Sequence, residues 1–142
     1  MKLIVKELDG SNEVFQEIIP ARNTIVEAVR PHLYLHNCLL NAAELTLEFQ
    51  DSEGELIASS AAQPVSSISS SDFFHGHVRF YVNAHLKAGT TYRIAIKASS
   101  YTFSEASYVG VCSSFDLSAY EADYSPSSGF HAPLDIEIWQ RK

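Results

Sequence analysis

Basic residues are scarce and scattered in this chain: 10 Lys and Arg stand against 17 Asp and Glu, for a formal net charge of −7. Nucleic-acid binding relies on Lys and Arg to displace counterions from phosphates, and no cluster here makes a phosphate-binding stripe, so nucleic acid is not an expected partner. The same sign argues against anionic membrane surfaces. Long hydrophobic runs are also missing, and no stretch of about 18 apolar residues offers a transmembrane helix. The start, Met1-Lys2-Leu3-Ile4-Val5-Lys6-Glu7, turns charged too quickly for a secretory signal, which implies synthesis in a cytosol. Cysteine is limited to Cys38 and Cys112, with no CxxC pair of the zinc-binding kind. In a cytosol-made protein these are expected as small buried thiols; a disulfide stays open only if the fold brings their α-carbons within bridging range. There is no Gly-x-Ser-x-Gly elbow, no glycine-rich phosphate loop and no long amphipathic helix.

What is present is alternation. The chain has 142 residues, 46% of them hydrophobic, enough for one domain over residues 1–142 with an ordinary core. Leu45, Leu47 and Phe49 alternate with Thr46, Glu48 and Gln50, which places the apolar set on one face of a strand. Asp51-Ser52-Glu53-Gly54 supplies a turn and Leu56-Ile57-Ala58 a returning strand, together a hairpin. Val78, Phe80 and Val82 repeat the pattern, Lys87-Ala88-Gly89-Thr90 turns, and Tyr92, Ile94 and Ile96 follow. Leu134, Ile136 and Ile138 form a last half-buried strand. Leu3 to Leu8, Val14 to Ile19 and Ile25 to Leu35 are further strands, with Pro20 and Pro31 marking edges or bends. Asn41 to Leu45 can form a helical turn, Ser59 to Asp72 a short ordered crossover, and Tyr120 to Pro133 a connecting loop. The expected fold is an all-β antiparallel sandwich of jelly-roll type, with about eight or nine strands and little helix. A closed barrel is its main competitor.

Six histidines are the most tempting chemistry. Residues two apart on a strand share a face, so His75 and His77 could both ligate a metal, as could His32 and His36. Zinc needs three or four ligands and local spacing supplies two, so ordinary hydrogen-bonded histidines are expected, with no metal and no cofactor. No catalytic residues emerge, and the chain is expected not to be an enzyme. Glu53 and Glu55 flank a turn glycine at a hairpin tip, and Asp135 and Glu137 lie on the outward side of the last strand, expected to be solvated. Calcium at Asp51 and Glu53 is a lesser option. Tyr101, Phe103, Tyr108, Tyr120, Tyr124, Phe130 and Trp139 crowd the last third. Core filling is the plain role for each, yet rings on outward faces anchor interfaces or stack on sugars. Trp139, Tyr101 and Tyr108 are therefore candidate contact residues. Trp139 is the foremost, because inward Ile136 and Ile138 put it outside.

The segment from Phe74-His75-Gly76-His77-Val78-Arg79-Phe80 through Leu86-Lys87-Ala88-Gly89-Thr90-Thr91-Tyr92-Arg93-Ile94 to Tyr101 resembles jelly-roll domains similar to carbohydrate-binding modules. In those domains one strand ends at Leu-x-x-Gly-Thr-x-Tyr and the next begins. Ala132-Pro133-Leu134-Asp135-Ile136-Glu137-Ile138 resembles their final strand. The likeness spans roughly residues 40–140, and Gly-Thr-x-Tyr is partly generic turn chemistry. Small stand-alone versions are associated with tailed bacteriophages, as capsid decoration or cement proteins and as parts of tail fibres. The resemblance implies a virion structural protein on the outer capsid surface, made in the host cytoplasm. It would bind the major capsid protein or another virion protein, and itself as a trimer. Residues 1–12 would then be an arm, with Leu3 and Val5 on a strand that adds to a neighbouring sheet. The alternative is a glycan-binding module of a tail or head fibre using exposed Tyr and Trp rings; no sugar-binding residues of such families transfer to particular positions here.

Overall fold

Alternation determines which side of each strand is dry, and two sheets bury their dry sides against each other. The computed structural model describes residues 4–8, 13–113, 124–126 and 134–141. Its elements are β1 (Ile4–Glu7), β2 (Glu13–Pro20), β3 (Thr24–His36), β4 (Glu44–Asp51), β5 (Leu56–Ser59), β6 (Gln63–Pro64), α1 (Val65–Ile68), β7 (Phe73–His77), β8 (Phe80–Leu86), β9 (Tyr92–Ser99), β10 (Tyr108–Ser113), β11 (Tyr124–Pro126) and β12 (Ile136–Gln140). The protein is an all-β sandwich of two antiparallel sheets. Among the described residues there are twelve strands where eight or nine were expected. Those without a counterpart in the sequence reading are the two-residue β6, β7 just ahead of the expected Val78–Val82 strand, β10, and the three-residue β11.

The first sheet is built around β3. On one edge β3 pairs with β10 at Leu33 to His36 and with β12 at Val26 to Pro31. On the other it pairs with β7 at His32 to His36 and with β8 at Thr24 to Val29. Pro31 sits in the middle of this central strand, not at the expected edge or bend. Proline has no N–H to donate to a ladder. It is accommodated because β7 hands over to β8 there, and its carbonyl still accepts the Val78 N–H at 3.0 Å. On the opposite edge β10 and β12 meet in the same way: Asp135 N–H donates to the Cys112 carbonyl, and His32 N–H donates to the Asp135 carbonyl, both at 2.8 Å.

In the second sheet the order is β11-β2-β9-β4-β5, with β6 extending the β4 edge. Leu45, Leu47 and Phe49 of β4, Ile94 and Ile96 of β9, and Ile18 of β2 meet Leu33, Leu35, Phe80, Val109, Val111 and Ile136 of the first sheet in one core. Gln16 points into that core yet is satisfied. Its Oε1 accepts the Leu134 N–H at 3.2 Å, and its Nε2 donates to the Glu17 carbonyl. Both expected turns form. Asp51 Oδ1 accepts the N–H groups of Glu53 and Glu55, and Gly54 takes φ +88°. That oxygen therefore shapes the hairpin tip. Asn41 to Ala43 run as irregular chain after a turn at Leu39 and Leu40, not as a helical turn. The Ser59 to Asp72 crossover carries β6 and α1, with Val65 fully buried.

The Leu86-to-Tyr92 motif has a local explanation. Leu86 is buried, Gly89 takes φ +76°, and the Tyr92 hydroxyl accepts the Lys87 N–H at 2.9 Å. Gly89 N–H in turn donates to the Pro20 carbonyl. Each of these residues serves the turn itself. Within the chain, β1 pairs with β10, Val5 standing opposite Cys112, and Leu8 is buried. Residues 4–8 are thus an edge strand of their own sheet. Leu3 and residues 9–12 of the expected arm lie outside the described residues.

Two phenylalanines separate core from surface experimentally. Phe80 is fully buried while Phe73 is 58% exposed. Phe80→Ala is expected to cost about 3–5 kcal/mol, and Phe73→Ala no more than about 0.5 kcal/mol, by urea unfolding.

Candidate functional site

The two outer faces of the sandwich differ in kind. On the second sheet, Arg93 lies 3.9 Å from Glu17 and over the Phe15 ring, Lys97 pairs with Glu48, and Gln50 donates to Glu13 and Glu48. That is an ordinary solvated face of crossed charges. The first sheet carries imidazoles and aromatic rings instead.

At its centre β3 turns His32 outward, between His77 of β7 and Asp135 just ahead of β12. The Asp135 carboxylate can only accept, so both imidazoles donate to it. His32 Nδ1 donates to Oδ2 at 2.9 Å and His77 Nε2 to Oδ1 at 3.2 Å. The remaining nitrogen of His32, Nε2, lies 3.3 Å from His75 Nδ1. The His32 ring is within 4.9 Å of the His77 ring and 5.5 Å of the His75 ring, centroid to centroid. Backbone placement explains the convergence. Asp135 is tied through its N–H to β10 and through its carbonyl to β3, at the junction where one partner of β3 replaces another. His77 ends β7 at the matching junction on the other edge. Asp135 and Glu137, expected as solvated carboxylates, are both paired: Glu137 accepts from Arg30 at 2.9 Å.

Toward the C-terminal end of β3 the same face becomes aromatic. Tyr108 stacks on His36 at 4.8 Å and 16°, stacks on Tyr34 at 6.1 Å, and leans on Phe103 at 5.6 Å. Phe73 meets His36 edge-on at 4.9 Å. Toward the other end Trp139 is 41% exposed, with the Arg79 guanidinium 4.1 Å and that of Arg30 5.5 Å from its ring centroid. Arg79 also donates to the hydroxyl of Tyr81, itself 67% exposed. Tyr108 and Trp139 thus share one face, whereas Tyr101 is buried and its hydroxyl accepts the Val109 N–H at 3.1 Å.

A separate open cleft of about 860 Å³ lies at one end of the sandwich, lined by Arg22, Thr24, His85, Lys87 and Arg141 among others. None of the central histidines reaches it. Comparison with protein-family models, with curated proteins and with solved structures gives no match.

Both cysteines are buried free thiols. Burial, and secondarily the negative charge of Asp135, pushes Cys112 up to about 11 from its ordinary 9.0. Burial raises Cys38 as well. The fold favours the protonated thiol, so this contribution to stability is complete below pH 9 and is lost as pH rises toward 11. Urea midpoints are expected to fall across that window by the equivalent of roughly 2–3 kcal/mol. Cys112→Ala should flatten the slope. At pH 8 native protein is expected to resist iodoacetamide at both thiols until it is unfolded.

A tautomer test addresses the centre. In chelator-treated protein, neutral His32 is expected to carry its proton on Nδ1, read by nitrogen–proton correlation NMR of the ring. Asp135→Asn should remove that preference.

Proposed function

We propose that this protein is a non-enzymatic binding protein of the capsid cement or decoration type. It docks through the outer face of the first sheet onto neighbouring coat subunits, on the outside of a particle assembled in the host cytoplasm. The observation that carries the docking part is the contrast between the two outer faces. One is centred on charge pairs and exposes Leu56 and Ile57 at its β5 edge; the other exposes Phe73, Tyr81 and Trp139 around a band of histidines and tyrosines. Aromatic residues with arginine are the enriched components of protein interfaces, and Trp139 with Arg79 and Arg30 is such a group. The virion part rests on the resemblance of residues 74–101 and 132–138 to jelly-roll domains similar to carbohydrate-binding modules, small stand-alone versions of which are associated with tailed phages.

Glycan binding on a fibre remains the second reading, carried by the exposed Tyr81 and Trp139 rings. The rings of Tyr108 and His36 are stacked on each other and that of Trp139 lies against a guanidinium, so part of each ring is already engaged. A broad, partly apolar face of this kind fits the surface of another protein better.

In purified particles the chain is expected at hundreds of copies, by quantitative mass spectrometry. Phe73→Asp should lower incorporation at least about tenfold while preserving the circular dichroism of the free protein. Absence from particles would overturn the virion reading, a handful of copies would indicate a fibre, and saturable sugar binding lost in Trp139→Ala would favour the glycan module.

A further inference from the structure

We propose that His32, His77 and Asp135 form a binding site for one divalent transition-metal ion of the zinc class. The proposal is independent of the docking role and needs no partner.

The donor atoms are already gathered. One ring nitrogen from each histidine and a carboxylate oxygen lie within 4.8 Å of one another. The separations across the carboxylate are 2.9 Å and 3.2 Å. Ligands bonded to a tetrahedral zinc at about 2.0–2.1 Å stand about 3.3 Å apart, so an ion takes the place of the two ring protons, which move to the opposite nitrogens of the same rings, with small side-chain adjustments. Three strands hold the donors: His32 is mid-strand in β3, His77 ends β7, and Asp135 is pinned by backbone hydrogen bonds to β3 and β10.

The supporting groups agree in chemistry. Once Nδ1 of His32 binds the ion, Nε2–H can donate to His75 Nδ1, 3.3 Å away. That is the usual arrangement for a metal-bound imidazole, in which a partner on the second nitrogen fixes tautomer and ring orientation. Arg30, the cation of β3 on this face, is neutralised by Glu137 at 2.9 Å. The net charge of −7 favours cation approach. Two imidazoles and one carboxylate suit zinc and its neighbours, whereas calcium and magnesium require oxygen-rich sets.

Three protein ligands leave a fourth position, which faces outward from a sheet and not into the cleft lined by Arg22 and Lys87. Partial burial of the three side chains, between 13% and 30% exposed, leaves an ion accessible to solvent water or to a ligand atom of a docked molecule.

The test uses the full chain purified without a polyhistidine tag and stripped with chelator, titrated with zinc against a chromophoric competitor. One saturable zinc per chain is expected. Asp135→Asn and His77→Gln should each weaken it at least about tenfold, with unchanged circular dichroism, while His85→Gln at the cleft binds like the parent. Cobalt should give the intense visible absorption of a four- or five-coordinate ion. Should Asp135→Asn fail to fold, His77→Gln decides, since His77 lies outside the core. Absence of saturable binding, or parent-like zinc affinity in His77→Gln, would overturn the proposal.

Discussion

A strand of thirteen residues, β3, has more edge than any one partner can cover. It spans about 43 Å at strand rise, and its partners β7, β8, β10 and β12 are six to eight residues shorter. An uncovered stretch would leave backbone donors and acceptors without hydrogen bonds, a cost the fold avoids by giving each edge two partners in succession. Pro31 fits that constraint: its missing donor falls where β7 yields to β8. The layered core, the divided strands and the position of the histidine cluster all follow from how this one ladder is shared.

Much of the fold was legible in the residues. Period-two alternation marks β4, β8, β9 and β12, and turn chemistry at Asp51 to Gly54 and Lys87 to Thr90 joins them where the structure does. The very short β6 and β11 carry no period of their own, so nothing in the sequence distinguishes them from loop. Pro31 misled for a physical reason. The rule that proline belongs on edges assumes one continuous partner, and the handover between partners is a non-local event.

The candidate site was half legible. Even spacing along β3 and β7, four residues and two, identifies His32 with His36, and His75 with His77, as pairs sharing a face. What spacing cannot supply is register. His32 meets His77 because β3 and β7 pair antiparallel with those residues opposite, and Asp135 joins them only because β12 begins where β10 ends. Tyr101 shows the converse limit: its aromatic character fits surface and core alike, and the Val109 N–H draws it inward. Trp139 follows the alternation directly, though the arginines over its ring come from β3 and the β7–β8 junction.

The pairing of β3 with β12 also has a kinetic consequence. His32, His77 and Asp135 come from well-separated stretches of chain, and β3 gains its Val26-to-Pro31 partner only from residues 136–140. Sequence-distant pairings of this sort slow folding, because loop closure must come before the contacts that reward it. During synthesis β3 would therefore emerge early with one flank open, and an unpaired β flank is a template for association with other chains. The ring of imidazoles around Asp135 closes only when that flank is capped. Its formation makes a local spectroscopic marker for the last long-range step of folding.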